Sequence, residues 1–255
     1  MKKIILTVLP AATLAVLNCF AITQYTKGDF TYSYVVGTET ARLDKYSGSD
    51  SSVHIEDHDH FTLKVGTYPD GLDKFETFHV TGISPGAFRN NKTITSVSWP
   101  LRVKAIEGNW AVEGYYQGGA FEGCTNLADI PSLSGITTIG NSAFERCASL
   151  KSVVIPSSVT TLSKSAFLGC TGLKTAIVNY SGVLPSGLFA GCTSLESLVL
   201  GDGITEIEGA VSYYITGAPR PLSGCNNLKS ISLGRGITTI PEDFIYGLSL
   251  VERVT

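Results

Sequence analysis

Among 255 residues there is no cluster of Lys or Arg, no long apolar run past residue 21, and no histidine after His79. The first absence argues against nucleic acid and anionic lipid as partners: basic residues are scattered, and the formal net charge is −3 even with Lys2 and Lys3 counted. The second leaves no transmembrane helix in the chain that follows the leader, since a span needs about 20 apolar residues. The third removes the commonest general base from most of the chain. No G-x-S-x-G elbow, H-E-x-x-H pair, C-x-x-C, phosphate loop or EF-hand loop occurs, so the sequence offers no catalytic residue, no cofactor and no metal centre. Gly201-x-Gly203 and Gly234-x-Gly236 lack a third glycine and read as turns.

The chain opens as a secretory signal peptide would: Met1-Lys2-Lys3, then an apolar stretch to Phe20 broken only by Thr7, Pro10, Thr13 and Asn18, then small Ala21. Cleavage after Ala21 is expected, giving a secreted or cell-surface protein. The alternative is lipidation of Cys19, which Asn18 before it and Phe20 after it suit poorly.

What is present is a period. Cys124, Cys147, Cys170, Cys192 and Cys225 follow one another at 23, 23, 22 and 33 residues. Each stands in a recurring frame: Ala120-Phe121-x-x-Cys124-x-x-Leu127, Ala143-Phe144-x-x-Cys147-x-x-Leu150, Ala166-Phe167-x-x-Cys170-x-x-Leu173 and Leu188-Phe189-x-x-Cys192-x-x-Leu195. The frame extends back to Phe88, Asn91 and Ile94, and forward through Leu222, Cys225 and Leu228 to Phe244, Gly247 and Leu250, which makes about seven coils. A fixed period of this size means a solenoid. After the Leu comes alternation such as Leu150, Val153, Ile155, which predicts one short strand per coil in a parallel sheet. A second apolar pair follows, as in Ile136 with Ile139 and Val159 with Leu162. No coil can bury these residues alone; stacking at the strand spacing of about 4.8 Å aligns each with its copy.

The unit A-F-x-x-C-x-x-L-x-x-I-x-I-P-x-x-V-x-x-I resembles the BspA-type leucine-rich repeat of bacterial surface proteins, and Ser142 through Pro156 to Leu162 fills nearly every slot. The resemblance runs from Val80 to the C-terminus. Asn91 and Gly247 depart from it at the cysteine slot, Asn179, Gly201 and Gly234 at the proline slot, and two coils are enlarged. It implies an α/β-type, mostly β solenoid: a right-handed leucine-rich-repeat superhelix with a parallel sheet and short helical or irregular turns. It also implies adhesion to host matrix proteins or neighbouring cells, as a class and not as a set of residues.

The domain reading is a leader over 1–21, a β-rich N-terminal cap over 22–80 and a solenoid over 81–255. The cap segment alternates Phe30, Tyr32, Tyr34, Val36 and shields the first coil. At the other end the last strand forms only at Val254-Thr255, an edge that either pairs with a partner or simply stops.

Cysteines at one inward slot read as buried free thiols, with disulfides as the alternative in an oxidising compartment. His54, His58, His60 and His79, with Asp57 and Asp59 interleaved, have no recognised metal spacing and read as a solvated loop.

Residues between the inward ones should line an exposed sheet face, Ser152, Val154, Thr175, Ile177, Ser197 and Val199 among them, small and nearly uncharged. The enlarged coils add about ten residues each, after Ile106-Glu107-Gly108 and Ile207-Glu208-Gly209, and emerge on one face about 20 Å apart at strand spacing. They carry Trp110, Tyr115 and Tyr116 in one and Tyr213 and Tyr214 in the other, which are the candidate binding residues. These rings either anchor a partner or fold back over the flank of the coils. The expected partner is an extracellular-matrix or cell-surface protein; a glycan, or a structural accessory role in the cell envelope, is the alternative.

Overall fold

The computed structural model describes residues 22–55, 60–108, 117–209, 219–242 and 244–255. Among them there is no helix, so the turns between strands are irregular, and no helix is long and apolar enough to cross a membrane.

The chain starts as an antiparallel unit. β1 (Ile22–Lys27), β2 (Phe30–Val35) and β3 (Thr40–Tyr46) form a meander, and β3 then runs parallel to the long β6 (Asp73–Ile83), whose outer half pairs with β5 (His60–Thr67). From β6 onward the pairing is between coils. The sheet continues as β6, β8 (Ala105–Ile106), β9 (Thr138–Ile139) and β11 (Thr161–Leu162), all parallel.

A second row of strands holds the alternation read from the sequence: β10 (Ser152–Ile155), β12 (Thr175–Val178), β14 (Ser197–Leu200), β16 (Ser230–Ser232) and β17 (Arg253–Val254). Their inward residues Val153, Ala176, Leu198 and Ile231 are buried and their outward ones are not. Regular coils thus supply two strands each, not one. The Thr-Ile and Thr-Leu pairs of β9 and β11 are too short to betray themselves by alternation, yet the N–H groups that follow them bond in sequence: Gly140 to the Ile106 carbonyl and Ser163 to that of Ile139, both at 2.9 Å.

Two prolines interrupt the rows. Pro131 occupies the exposed strand slot that Val154 fills one coil later, and without an N–H it reduces that coil's strand to a single bridge, Ser96 to Asp129. Pro185 stands where Gly140 and Ser163 donate, so β11 ends its sheet and β13 (Gly182–Leu184) pairs only with β15 (Ile204–Ile207).

The third side of each coil is the Ala-Phe turn. Phe121 donates to the Ala143 carbonyl and Phe144 to that of Ala166, each at 2.8 Å. The rings stack in file: centroids of Phe88, Phe121, Phe144, Phe167 and Phe189 are spaced 4.8, 5.3, 5.2 and 5.8 Å. Tyr46 of β3 extends the file, 5.3 Å from Phe88, and its N–H donates to the Ala87 carbonyl at 2.9 Å. Each such pair adds about 1 kcal/mol beyond the area it buries. The residue before the cysteine slot turns left-handed, with φ of 72° at Gly123, 68° at Gly169 and 72° at Gly191, which is why glycine recurs there.

Candidate recognition surface

The outward residues of the β10 to β16 row form two lines. One is hydroxyl-bearing: Ser152, Thr175, Ser197 and Ser230 lie in register. The other is aliphatic, with Val154 50% and Ile177 36% exposed and Val199 half-buried beside them. Toward the N-terminus the line passes through the carboxylate of Asp129, bridged to Ser96, and resumes as hydroxyls on β7 (Ser96–Ser98) and β4 (Ser52–His54), where the Ser96 and Ser52 hydroxyls bond at 3.0 Å and His54 Nδ1 meets Ser98 Oγ. Toward the C-terminus Lys229 and Glu196 pair at 3.2 Å on the rim and cancel. The face is nearly neutral, and its side chains are spaced by the strand register. It suits docking of another surface more than capture of a small molecule.

The sequence reading missed the relief on this face. At Pro131 the row is broken, and a depression of about 260 Å³ opens between Ile130 to Ser134 and Ser152 to Pro156. Pro131 was visible in the sequence, but its effect depends on the register between coils.

Trp110, Tyr115, Tyr116, Tyr213 and Tyr214 lie outside the described residues, as do Glu56 to Asp59. The approaches to the two enlarged segments are described. Glu107 pairs with Arg42 of β3, and Gly108 lies so close to Asn141 that a Cβ there would overlap its backbone. At the other approach Glu208 is held by Lys164 at 3.0 Å and by the Ser186 N–H at 2.6 Å. A patch that sequence reasoning did not flag lies around the β5–β6 hairpin, where Tyr68, Leu72 and Phe75 are half exposed or more.

The cysteines are chemically quiet. Cys124, Cys147, Cys170, Cys192 and Cys225 are buried and free. Burial pushes Cys124 and Cys225 up to about 12 and raises Cys147 and Cys170 as well. Cys192 is raised by its hydrogen bond with Cys170 and by burial. Such thiols stay protonated at neutral pH and supply no thiolate for nucleophilic attack or metal ligation. Among the described residues no three His, Cys, Asp or Glu side chains converge on a point that could hold a metal ion.

A family model described as the BspA type leucine rich repeat region matches residues 81–216 in six copies. Among solved structures, the chain is similar to the leucine rich repeat protein of T. pallidum at 22% identity, covering 87% of this chain and 92% of that one with a TM-score of 0.52. It is also similar to a leucine-rich repeat protein from Bacteroides ovatus ATCC 8483 at 20% identity, covering 90% and 76% with a TM-score of 0.46. The first of these likenesses shows the leucine-rich-repeat solenoid fold. No curated protein matches the chain.

Proposed function

From the premise that this chain belongs to the BspA-type leucine-rich-repeat family, we propose that it is an exported binding protein, secreted or displayed at the cell surface, that recognises a protein of a host matrix or of a neighbouring cell. The observation that carries the reading is the exposed face of the β10 to β16 row. Aliphatic Val154 and Ile177 stand in a field of serine and threonine with almost no charge, on strands paired in continuous parallel register. Apolar centres inside a polar rim are what protein interfaces use, and a pre-formed sheet keeps the entropic cost of docking low.

The same reading takes residues 1–21 as the export leader and 22–80 as the cap of the solenoid. Support for the cap is the Tyr46 ring, which carries the phenylalanine file on to Phe30, and the Ser84 N–H, which donates to the Leu43 carbonyl at 2.8 Å. The aromatic residues Trp110, Tyr115, Tyr116, Tyr213 and Tyr214 extend the proposed contact beyond that face.

The test is capture on a panel of immobilised extracellular-matrix proteins. Wild type is compared with a Val154→Lys, Ile177→Lys variant and with a Trp110→Ala, Tyr116→Ala, Tyr213→Ala variant, each first shown to unfold at the wild-type midpoint. Capture lost in either variant locates the contact. No capture by wild type, or equal capture by all three, removes the reading.

A further inference from the structure

The break at Pro185 leaves more than a missing hydrogen bond. Where Ser163 gives its N–H to the Ile139 carbonyl and Glu208 gives its own to that of Leu184 at 3.0 Å, residue 185 has nothing to give to the carbonyl of Leu162. β11 and β13 part, and a groove of about 410 Å³ lies between them. Its volume falls within the roughly 300–1,000 Å³ of small-ligand clefts.

The lining is amphipathic in a particular way. Val183, 40% exposed, gives the carbon surface, buried Leu162 and Pro185 form the floor beneath it, and the Tyr180 ring stands at the side. Around this lie Lys164, Glu208 and Asn141. The Glu208 carboxylate is fixed from two directions, by Lys164 Nζ and by the Ser186 N–H. Lys164 and Glu208 cancel, so the groove has no net charge with which to draw an anion or a cation. It does have donors (Lys164, Asn141) and acceptors (Glu208, the Leu162 carbonyl) around an apolar strip.

A ligand that matches such a lining carries hydroxyls on its edges and C–H groups on its faces, and has no charge. We propose that the groove between β11 and β13 binds a segment of neutral polysaccharide, with a sugar ring lying over Val183 against Tyr180 and its hydroxyls bonded to Glu208, Lys164 and Asn141. The groove belongs to the other strand row from β10 to β16, so this site goes beyond the protein-docking reading and does not rest on it.

Titration calorimetry and saturation-transfer NMR of the whole protein test it, with maltohexaose, cellohexaose, mannohexaose and chitohexaose as neutral probes and an oligogalacturonate as the charged one. At least one neutral probe is expected to bind, with affinity about tenfold weaker in Glu208→Gln and in Tyr180→Ala, a loss of roughly 1.4 kcal/mol, and unchanged in Val154→Lys. Tyr180 is half-buried; if Tyr180→Ala lowers the unfolding midpoint, Lys164→Met takes its place. Absence of binding by every neutral probe, binding indifferent to the groove variants, or preference for the oligogalacturonate would each overturn the proposal.

Discussion

The thiol of Cys170 donates to the carbonyl oxygen of Phe144, one coil earlier, at 3.1 Å. The same oxygen accepts the Cys147 N–H at 3.2 Å. The arrangement repeats: Cys124 to Phe88, Cys147 to Phe121, Cys192 to Phe167 and Cys225 to Phe189, all between 3.0 and 3.3 Å. Cysteine therefore fills this slot both as a small apolar side chain and as a donor small enough to reach the neighbouring coil.

From this it follows that the ladder is closed to reagents while the coils stay stacked. Incubated with iodoacetamide and mapped by peptide mass spectrometry, Cys124, Cys147, Cys170, Cys192 and Cys225 should remain unmodified in buffer and become fully modified in guanidinium. Rapid native labelling of Cys147 or Cys170 would contradict the burial.

Alkaline pH should loosen the fold. In the unfolded chain these thiols titrate near 9, whereas in the fold Cys124 and Cys225 are held up at about 12. The protonated form is the one the fold prefers, so its contribution is complete below about pH 9 and is lost as pH rises through about 12. Urea midpoints should fall across that window, by up to about 1.4 kcal/mol per pH unit for each thiol involved. A flat profile would argue that the thiols are solvated.

Phe144 has a stacked ring on either side and no exposed surface. Phe144→Ala should cost about 3 to 5 kcal/mol in a urea titration. A loss below about 1 kcal/mol would mean that neighbouring coils collapse into the space.

Arg146 holds φ at 59° in the position where other coils place glycine. For an L-residue that conformation costs about 1–2 kcal/mol. Arg146→Gly should raise the unfolding free energy by about 1 kcal/mol, and Gly169→Ala, at φ 68°, should lower it similarly. The reverse order in thermal unfolding would exclude strain as the reason for the glycines.

Gly119 and Gly66 make a matched pair. A Cβ on Gly119 would overlap the Ser142 carbonyl of the next coil, whereas one on Gly66 would meet nothing within 4 Å. Gly119→Ala should lose about 1–3 kcal/mol and Gly66→Ala none, read from their unfolding midpoints.

How much of this the sequence disclosed depends on the range over which each signal acts. The solenoid was legible because Phe, Cys and Leu recur at a constant offset, and the outward set Ser152, Val154, Thr175, Ile177 because strand alternation is a local property. The row through β9 and β11 was not, since Thr138-Ile139 and Thr161-Leu162 are two-residue strands recognisable only by pairing with another coil. Pro131 and Pro185 could be read as residues but not as breaks: which carbonyl loses its partner is fixed by the register between coils. The grooves beside them were therefore invisible. The donor role of the cysteines was hidden similarly, because Phe144 and Cys170 lie 26 residues apart.

The hydrogen bonds between coils run along the long axis, across the stack. Tension applied at the two ends would open them in succession, as a zipper opens, instead of shearing many at once. Parting should begin beside Pro131 and Pro185, where a strand row is already cut. Each coil that lets go would release about 80 Å of slack for a 23-residue unit at the chain's limiting extension. The prolines thus mark where the stack would first lengthen under load, leaving the coils between them, with their stacked rings and faces, to give way later.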